Sequence, residues 1–167
     1  MKIHQLDDAR LKPMAEKLGS ARVAMMVLDE PANGLCSRPM TALEMDRSGA
    51  VWFMASRKTT TPLLGHGPKA ANLAFVDDGD SNYVSIAGEA SMVDDMARKK
   101  ELWSPAGRPW FSGVDDPDLT LIKVSPRHVE IWDGPDNAVS RVFAMAASMV
   151  AGKEVGMGDK KVVDVPK

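Results

Sequence analysis

The chain has 167 residues, with 21 Lys and Arg against 23 Asp and Glu, a formal net charge of −2, and 44% hydrophobic residues. That is enough for one domain with its own core, and the near-neutral balance excludes the broad basic field expected of a nucleic-acid binder. One cysteine excludes an internal disulfide framework, and the widely spaced His4, His66 and His128 form no zinc-type ligand set, so no metal is expected. No apolar run approaches the ~20 residues that span a bilayer and no signal-peptide pattern is present, so the expectation is a soluble, cytoplasmic protein without a membrane partner.

Leu6, Leu11, Met14 and Leu18 recur at helical spacing and predict a short cover helix that starts near Lys12 or kinks at Pro13. Val23 to Leu28 is an unbroken apolar run and predicts a central strand. A hairpin follows: Cys36 to Glu44 and Ala50 to Arg57, joined by the turn Asp46-Arg47-Ser48-Gly49. Pro62, preceded by Thr61 as N-cap, predicts the first turn of a short helix stopped by Gly65, Gly67 and Pro68. Strands over Ala70 to Val76 and Tyr83 to Val93 flank the turn Asp77-Asp78-Gly79-Asp80, and Gly88 marks a bulge.

Asp94 to Leu102 reads as a helix capped by Asp94 or Asp95, with Arg98, Lys99 and Lys100 mostly on a solvated face. Ser104 to Asp118, rich in Pro and Gly, reads as a loop anchored by Trp110 and Phe111. Leu119 to Trp132, interrupted by Pro126, reads as a long, bent edge strand. Asp136 to Ala151 is an amphipathic helix stopped by Gly152, and residues 153–167 form a polar tail, mobile or draped on a partner, after a single domain over 1–152. Six strands with few helices predict a small antiparallel barrel.

The chemistry concentrates at Val51 to Pro62. Ser56-Arg57-Lys58-Thr59-Thr60-Thr61 sets two cations and a run of hydroxyls before a helix, where amide N–H groups and a partial positive charge favour an anion. Any of the plausible hairpin registers brings Arg38 opposite a residue between Arg57 and Thr59. Three cations at one hairpin end suggest an anion that offsets their repulsion; a solvated basic end is the alternative. Trp103, Trp110, Phe111 and Trp132 suit either a wall against a flat ring or a core or dimer anchor, and a ring wall beside a phosphate site would suit a phosphorylated aromatic cofactor.

Cys36 reads as a buried, inert thiol, His66 as a solvated helix residue, and Asp115-Asp116-Pro117-Asp118 as a turn and helix-cap signal rather than a metal site. Neither Gly-x-Gly-x-x-Gly nor a Walker motif occurs.

In order and spacing, Ser37-Arg38-Pro39-Met40, Val51-Trp52-Phe53-Met54, Ser56-Arg57-Lys58-Thr59, Tyr83-Val84-Ser85-Ile86-Ala87-Gly88-Glu89-Ala90, Trp110-Phe111-Ser112-Gly113 and Glu130-Ile131-Trp132 resemble the pyridoxamine 5′-phosphate oxidase-like flavoproteins, closest to their general-stress-protein branch. The resemblance covers roughly Leu6 to Trp132 and implies a mainly β (α+β) fold, a six-stranded antiparallel split β-barrel with peripheral helices of the FMN-binding type. It further implies a homodimer with FMN at the subunit interface. Arg38, Pro39, Met40 and Thr41 would run beside the flavin, Trp52 and Phe53 would touch it, and Arg57 and Lys58 with Thr59 would hold the phosphate. Trp110 belongs to the same set, Trp132 matches a family Trp at the flavin, and Arg141 is a loose match to a family Arg.

The Arg-x-His element of the true oxidases is missing after Trp132, where Asp133-Gly134-Pro135-Asp136-Asn137 stands, so pyridoxamine phosphate oxidation is not expected. The resulting expectation is an FMN-dependent oxidoreductase of unknown substrate with a small-molecule redox partner. The alternatives are a flavin-binding stress protein without turnover and an anion-binding interaction module. No catalytic acid or base is legible.

Overall fold

Alternation of apolar and polar residues decides which face of each strand turns inward, and here it wraps a sheet around one core. The computed structural model describes residues 1–19, 21–65, 67–77, 82–133, 138–152 and 159–165. Among them are eight strands: β1 (Lys2–Ile3), β2 (Val23–Glu30), β3 (Gly34–Met45), β4 (Val51–Ser56), β5 (Lys69–Asp77), β6 (Asn82–Val93), β7 (Leu119–Asp133) and β8 (Asp159–Asp164). Four helices accompany them: α1 (Lys12–Lys17), α2 (Arg57–Leu64), α3 (Met96–Leu102) and α4 (Ala138–Ala151).

Six strands make the barrel in the order β3-β2-β5-β6-β7-β4. Inward residues Ala24, Met26 and Leu28 of β2, Leu73 and Phe75 of β5, Val84 and Ile86 of β6, and Val129 and Ile131 of β7 build its core. Full burial of each large side chain contributes about 1.5–3 kcal/mol. Leu11, Met14 and Leu18, from a 3-10 turn capped by Asp8 and from α1 behind it, plug one end. Pro13 lies in the first turn of α1, so the helix starts at Lys12 rather than kinking.

The barrel is split because β3 serves two neighbours in turn. Gly34 to Thr41 pairs with β2, whereas only Ala42, Glu44 and Met45 pair with β4, across a bulge between Ala42 and Glu44. Beyond Phe53 the edge of β4 facing β3 carries no ladder, and a gap opens between the two strands. The tight turn before β4 is held by Asp46, whose carboxylate accepts the Ser48 and Ala50 amides, with Gly49 at φ 82°.

Several expectations are corrected. β7 is not an edge strand: it pairs β6 along its length, β4 through its first half and β8 through its second. Pro126, which suggested an edge, falls at the β6–β7 register shift beside Gly88, where a Cβ on Gly88 would lie 2.1 Å from the Ser125 carbonyl. Six strands become eight because β1 pairs in parallel with β3, and because residues 159–164 of the expected polar tail form β8. Helix α2 starts at Arg57 with Ser56 as N-cap, so Pro62 lies inside the helix and not at its first position. On α3, Lys99 is buried and Arg98 half-buried rather than solvated, because Asp94 and Glu44 pair with them. Residues His66, Asp78 to Asp80, Gly134 to Asn137, 153–158 and 166–167, on which expectations fell, lie outside the described residues, as does the side chain of Arg141. Among the described residues, no helix is long and apolar enough to cross a membrane.

Candidate functional site

The gap between β3 and β4 forms a cavity of about 510 Å³. Arg38, Pro39, Met40 and Thr41 line it from β3, Met26 and Leu28 from β2, and Met54, Ala55 and Ser56 from β4. Thr59, Thr60 and Leu63 of α2 and the loop Ser104 to Phe111 complete the wall. The walls are mainly apolar, with a few hydroxyls and charges placed at the rim, the make-up of a site for a flat organic ligand. Trp110 stands at this cavity 76% exposed, an unusual position for so large an apolar side chain.

The expected cations do not converge as the hairpin register suggested. β4 ends at Ser56 and the β3–β4 ladder ends at Ala42 and Phe53, so Arg38 registers with Met26 of β2. Each arginine also has a carboxylate of its own: Arg38 pairs with the largely buried Glu30, and Arg57 Nη2 lies 2.7 Å from Asp94 Oδ2. Of the three cations, Lys58 is the one without an ion pair among the described residues; its side chain is exposed beside Asp116 and Asp118. Lys99, with Arg57 after it, holds the Asp94 carboxyl below the usual carboxylate range.

The start of α2 is occupied from within the chain. Asp118 Oδ1 accepts the Lys58 amide at 2.9 Å and Oδ2 accepts the Ser56 hydroxyl at 2.7 Å, while the Asp118 carbonyl accepts the Arg57 amide. Ser56 Oγ in turn takes the Thr59 amide at 3.4 Å. The hydrogen bond from the Lys58 amide, then that from Ser56, holds the Asp118 carboxyl below its ordinary value. Asp116 accepts the Ser112 amide and hydroxyl and the Asp118 amide, which fixes the loop. The acidic run is therefore a turn and helix cap, as its sequence suggested.

Arg38, Pro39, Met40, Thr41, Thr59 and Trp110 thus share one cavity, whereas Trp52, Phe53, Arg57, Lys58 and Trp132 are not on its wall. Phe53 is fully buried in the core. The Trp52 ring is pinned elsewhere: Nε1 donates to Asp46 Oδ2 at 2.7 Å, with Arg98 at 4.5 Å and Lys123 at 5.5 Å from the ring centroid. Trp132 lies on the barrel's outer face under Lys160. Leu63 and Ala106 are wall residues that sequence reasoning did not single out, and Asp118, read as a turn and cap residue, lines the cavity as well. The i, i+4 spacing of Thr59 and Leu63 was the available signal for a common face of α2.

The outer face carries a second feature. Pro39, Met25, Ala74, Ser85, Glu130 and Val162 register across β3, β2, β5, β6, β7 and β8. Beside this row run Val76, Tyr83 and Trp132. Val23, Met25, Val76, Tyr83 and Val162 are all exposed here, leaving a largely apolar sheet face, interrupted by Ser85 and by Glu130 paired with Lys160, that is continuous with the cavity rim at Pro39.

Comparison with known proteins gives concordant results. Residues 9–156 match the family described as pyridoxamine 5′-phosphate oxidase like. A crystal structure from a Jannaschia species described as a general stress protein 26 superposes with a TM-score of 0.71 at 26% identity, covering 90% of this chain and 94% of that one. The general stress FMN/FAD binding protein of Xanthomonas citri is 31% identical with a TM-score of 0.64, covering 76% and 89%. General stress protein 26 of Bacillus subtilis is 34% identical over 55 residues, 33% of this chain and 39% of that protein.

Proposed function

The chain belongs to the pyridoxamine 5′-phosphate oxidase-like family, in its general-stress-protein branch, and we propose that it binds FMN in the cavity between β3 and β4 as a redox flavoprotein. The observation that carries this reading is the cavity itself: Arg38 to Thr41, Thr59 and the exposed Trp110 meet around about 510 Å³ of mainly apolar space. Its volume falls in the range of organic-ligand sites, and the name of the Xanthomonas citri relative gives flavin as that protein's ligand. The ring system would lie along β3, with the phosphate toward Thr59 and Lys58 and within reach of Arg57. The bound flavin would supply the electron transfer, and the chain would supply binding and orientation. Glu30, Asp94, Asp116 and Asp118, the carboxylates of this region, are all engaged in hydrogen bonds or ion pairs, which supports a protein that positions a small redox partner without its own acid or base.

The assembly proposed is a homodimer formed through the outer apolar face. Trp132 on that face would reach the cavity of a second copy rather than its own, so the expected flavin set would be drawn from both subunits. The single cysteine suits the reducing cytoplasm. Pyridoxamine phosphate is not the substrate in this reading, since no Arg-x-His follows Trp132.

The test is the absorption spectrum of the purified protein with FMN, riboflavin or FAD after gel filtration, followed by addition of reduced nicotinamide cofactors. Retained FMN whose spectrum bleaches faster than free FMN is the expected result. Loss of every flavin on the column would contradict the reading.

A further inference from the structure

A phosphate aimed at the start of α2 meets an anion already there. The Asp118 carboxylate spans the first turn, 2.9 Å from the Lys58 amide and 2.7 Å from the Ser56 hydroxyl, and it also lines the cavity. Its backbone is clamped as well: the Asp118 carbonyl accepts the Arg57 amide at 2.6 Å and the Pro117 carbonyl accepts Arg57 Nε at 3.3 Å. Asp116 braces it from behind by taking the Asp118 amide at 2.9 Å. A carboxylate so held cannot swing away without giving up hydrogen bonds at both oxygens, so a phosphate approaching Lys58 and Thr59 meets both a blocked amide and a like charge.

We propose that Asp118 is a specificity-determining residue of the cavity, an internal anion at the start of α2 that limits how strongly phosphorylated ligands are preferred over their unphosphorylated forms. This rests on the flavin reading above. The cavity's apolar wall holds the ring system of either ligand, while Asp118 acts on the phosphate alone. Lys58, exposed and without an ion pair among the described residues, attracts that phosphate, and Asp118 offsets the attraction.

Asp118→Asn keeps the size and an oxygen for the Lys58 amide but removes the charge. Titrations of FMN and riboflavin into wild type and this variant should show FMN tightening about tenfold, with riboflavin changed less than about twofold. Asp118→Glu, which keeps the charge, should leave FMN no tighter than in wild type. In a second arm without flavin, inorganic phosphate should raise the melting temperature of Asp118→Asn and leave that of wild type in place.

An unchanged FMN-to-riboflavin ratio in Asp118→Asn would overturn the proposal, as would an equal gain in Asp118→Glu or equal stabilisation of both proteins by phosphate. If no flavin binds either protein, the flavin reading fails, and the phosphate arm still decides the role of Asp118: stabilisation of Asp118→Asn alone upholds it, and any other result overturns it.

Discussion

Glu44 lies at the bulge where β3 leaves β4, only 3% exposed, with Arg98 Nη2 2.5 Å from one oxygen and His4 Nε2 3.1 Å from the other. Arg98 continues over the Trp52 ring and to Glu101, so this carboxylate ties α3 and the N-terminus to the closed end of the split. Glu44→Gln keeps the shape and removes the charge. Breaking a buried pair costs about 3–5 kcal/mol, but Arg98 is 16% exposed and keeps Glu101, so we expect about 2 kcal/mol. For a chain of this length that corresponds to a melting temperature lower by about 4–8 °C. Burial pushes the Glu44 carboxyl up, yet the hydrogen bond and charge of Arg98, with His4 Nε2 also in contact, outweigh it, and the net shift is downward.

A depressed folded-state value means that the stabilisation is complete above the unfolded value of about 4.3 and is lost as pH falls through the folded value. Urea denaturation from pH 7 to pH 3 should therefore show a constant gap between wild type and Glu44→Gln down to about pH 5, then a narrowing one. Equal stabilities at pH 7, or a gap that persists undiminished at pH 3, would refute the reasoning.

Lys58→Ala should weaken FMN by about tenfold and leave riboflavin nearly unchanged by titration, since it removes the cation without an ion pair at the start of α2. Met25→Asp places a charge at the centre of the outer apolar face and should convert a dimer burying about 2,000 Å² into a monomer by light scattering, with flavin affinity lost alongside. His128 Nδ1 lies 2.6 Å from Asp164 Oδ1 on β8, and that hydrogen bond raises the imidazole's pKa. The support it gives β8 is complete below the unfolded value of about 6.5 and disappears as pH rises through the folded value, so exchange at the Val163 and Val165 amides, corrected for intrinsic rates, should speed up in that window and be flat in Asp164→Asn.

The fold was legible where one physical signal dominated. Val23 to Leu28, the Asp46 to Gly49 turn, the Gly88 bulge and the Asp95 cap all stand close to where their residue types placed them; the turn and the cap are decided by neighbours within a few positions, and Gly88 is legible because only glycine tolerates the close approach of Ser125. Ion-pair partners were not legible, whether distant in sequence, as for Arg57 and Arg98, or only five to eight positions away, as for Lys99 and Arg38. Arg38, Arg57, Arg98 and Lys99 read as solvated or ligand-seeking cations, and the carboxylates that pair with them come from β2, from the segment between β6 and α3, and from β3. Pro62 drew attention to the wrong helix start because Ser56, paired with Asp118 from 62 positions away, caps the helix first. Ring contacts at the cavity followed the same division: Trp110 is where a ring wall would need it, while Trp52 is held by Asp46 and Arg98 and Trp132 faces outward.

The most direct test of the cavity between β3 and β4 as the flavin site is an FMN fluorescence titration of wild type against Ala106→Trp. Ala106 lines the cavity from an exposed loop, so an indole there fills the site without disturbing the core. Saturable quenching in wild type and a loss of affinity of about a hundredfold in Ala106→Trp is the predicted result, with unchanged melting temperature in the absence of flavin. Equal affinity of the two proteins for FMN would place the flavin elsewhere and contradict the account.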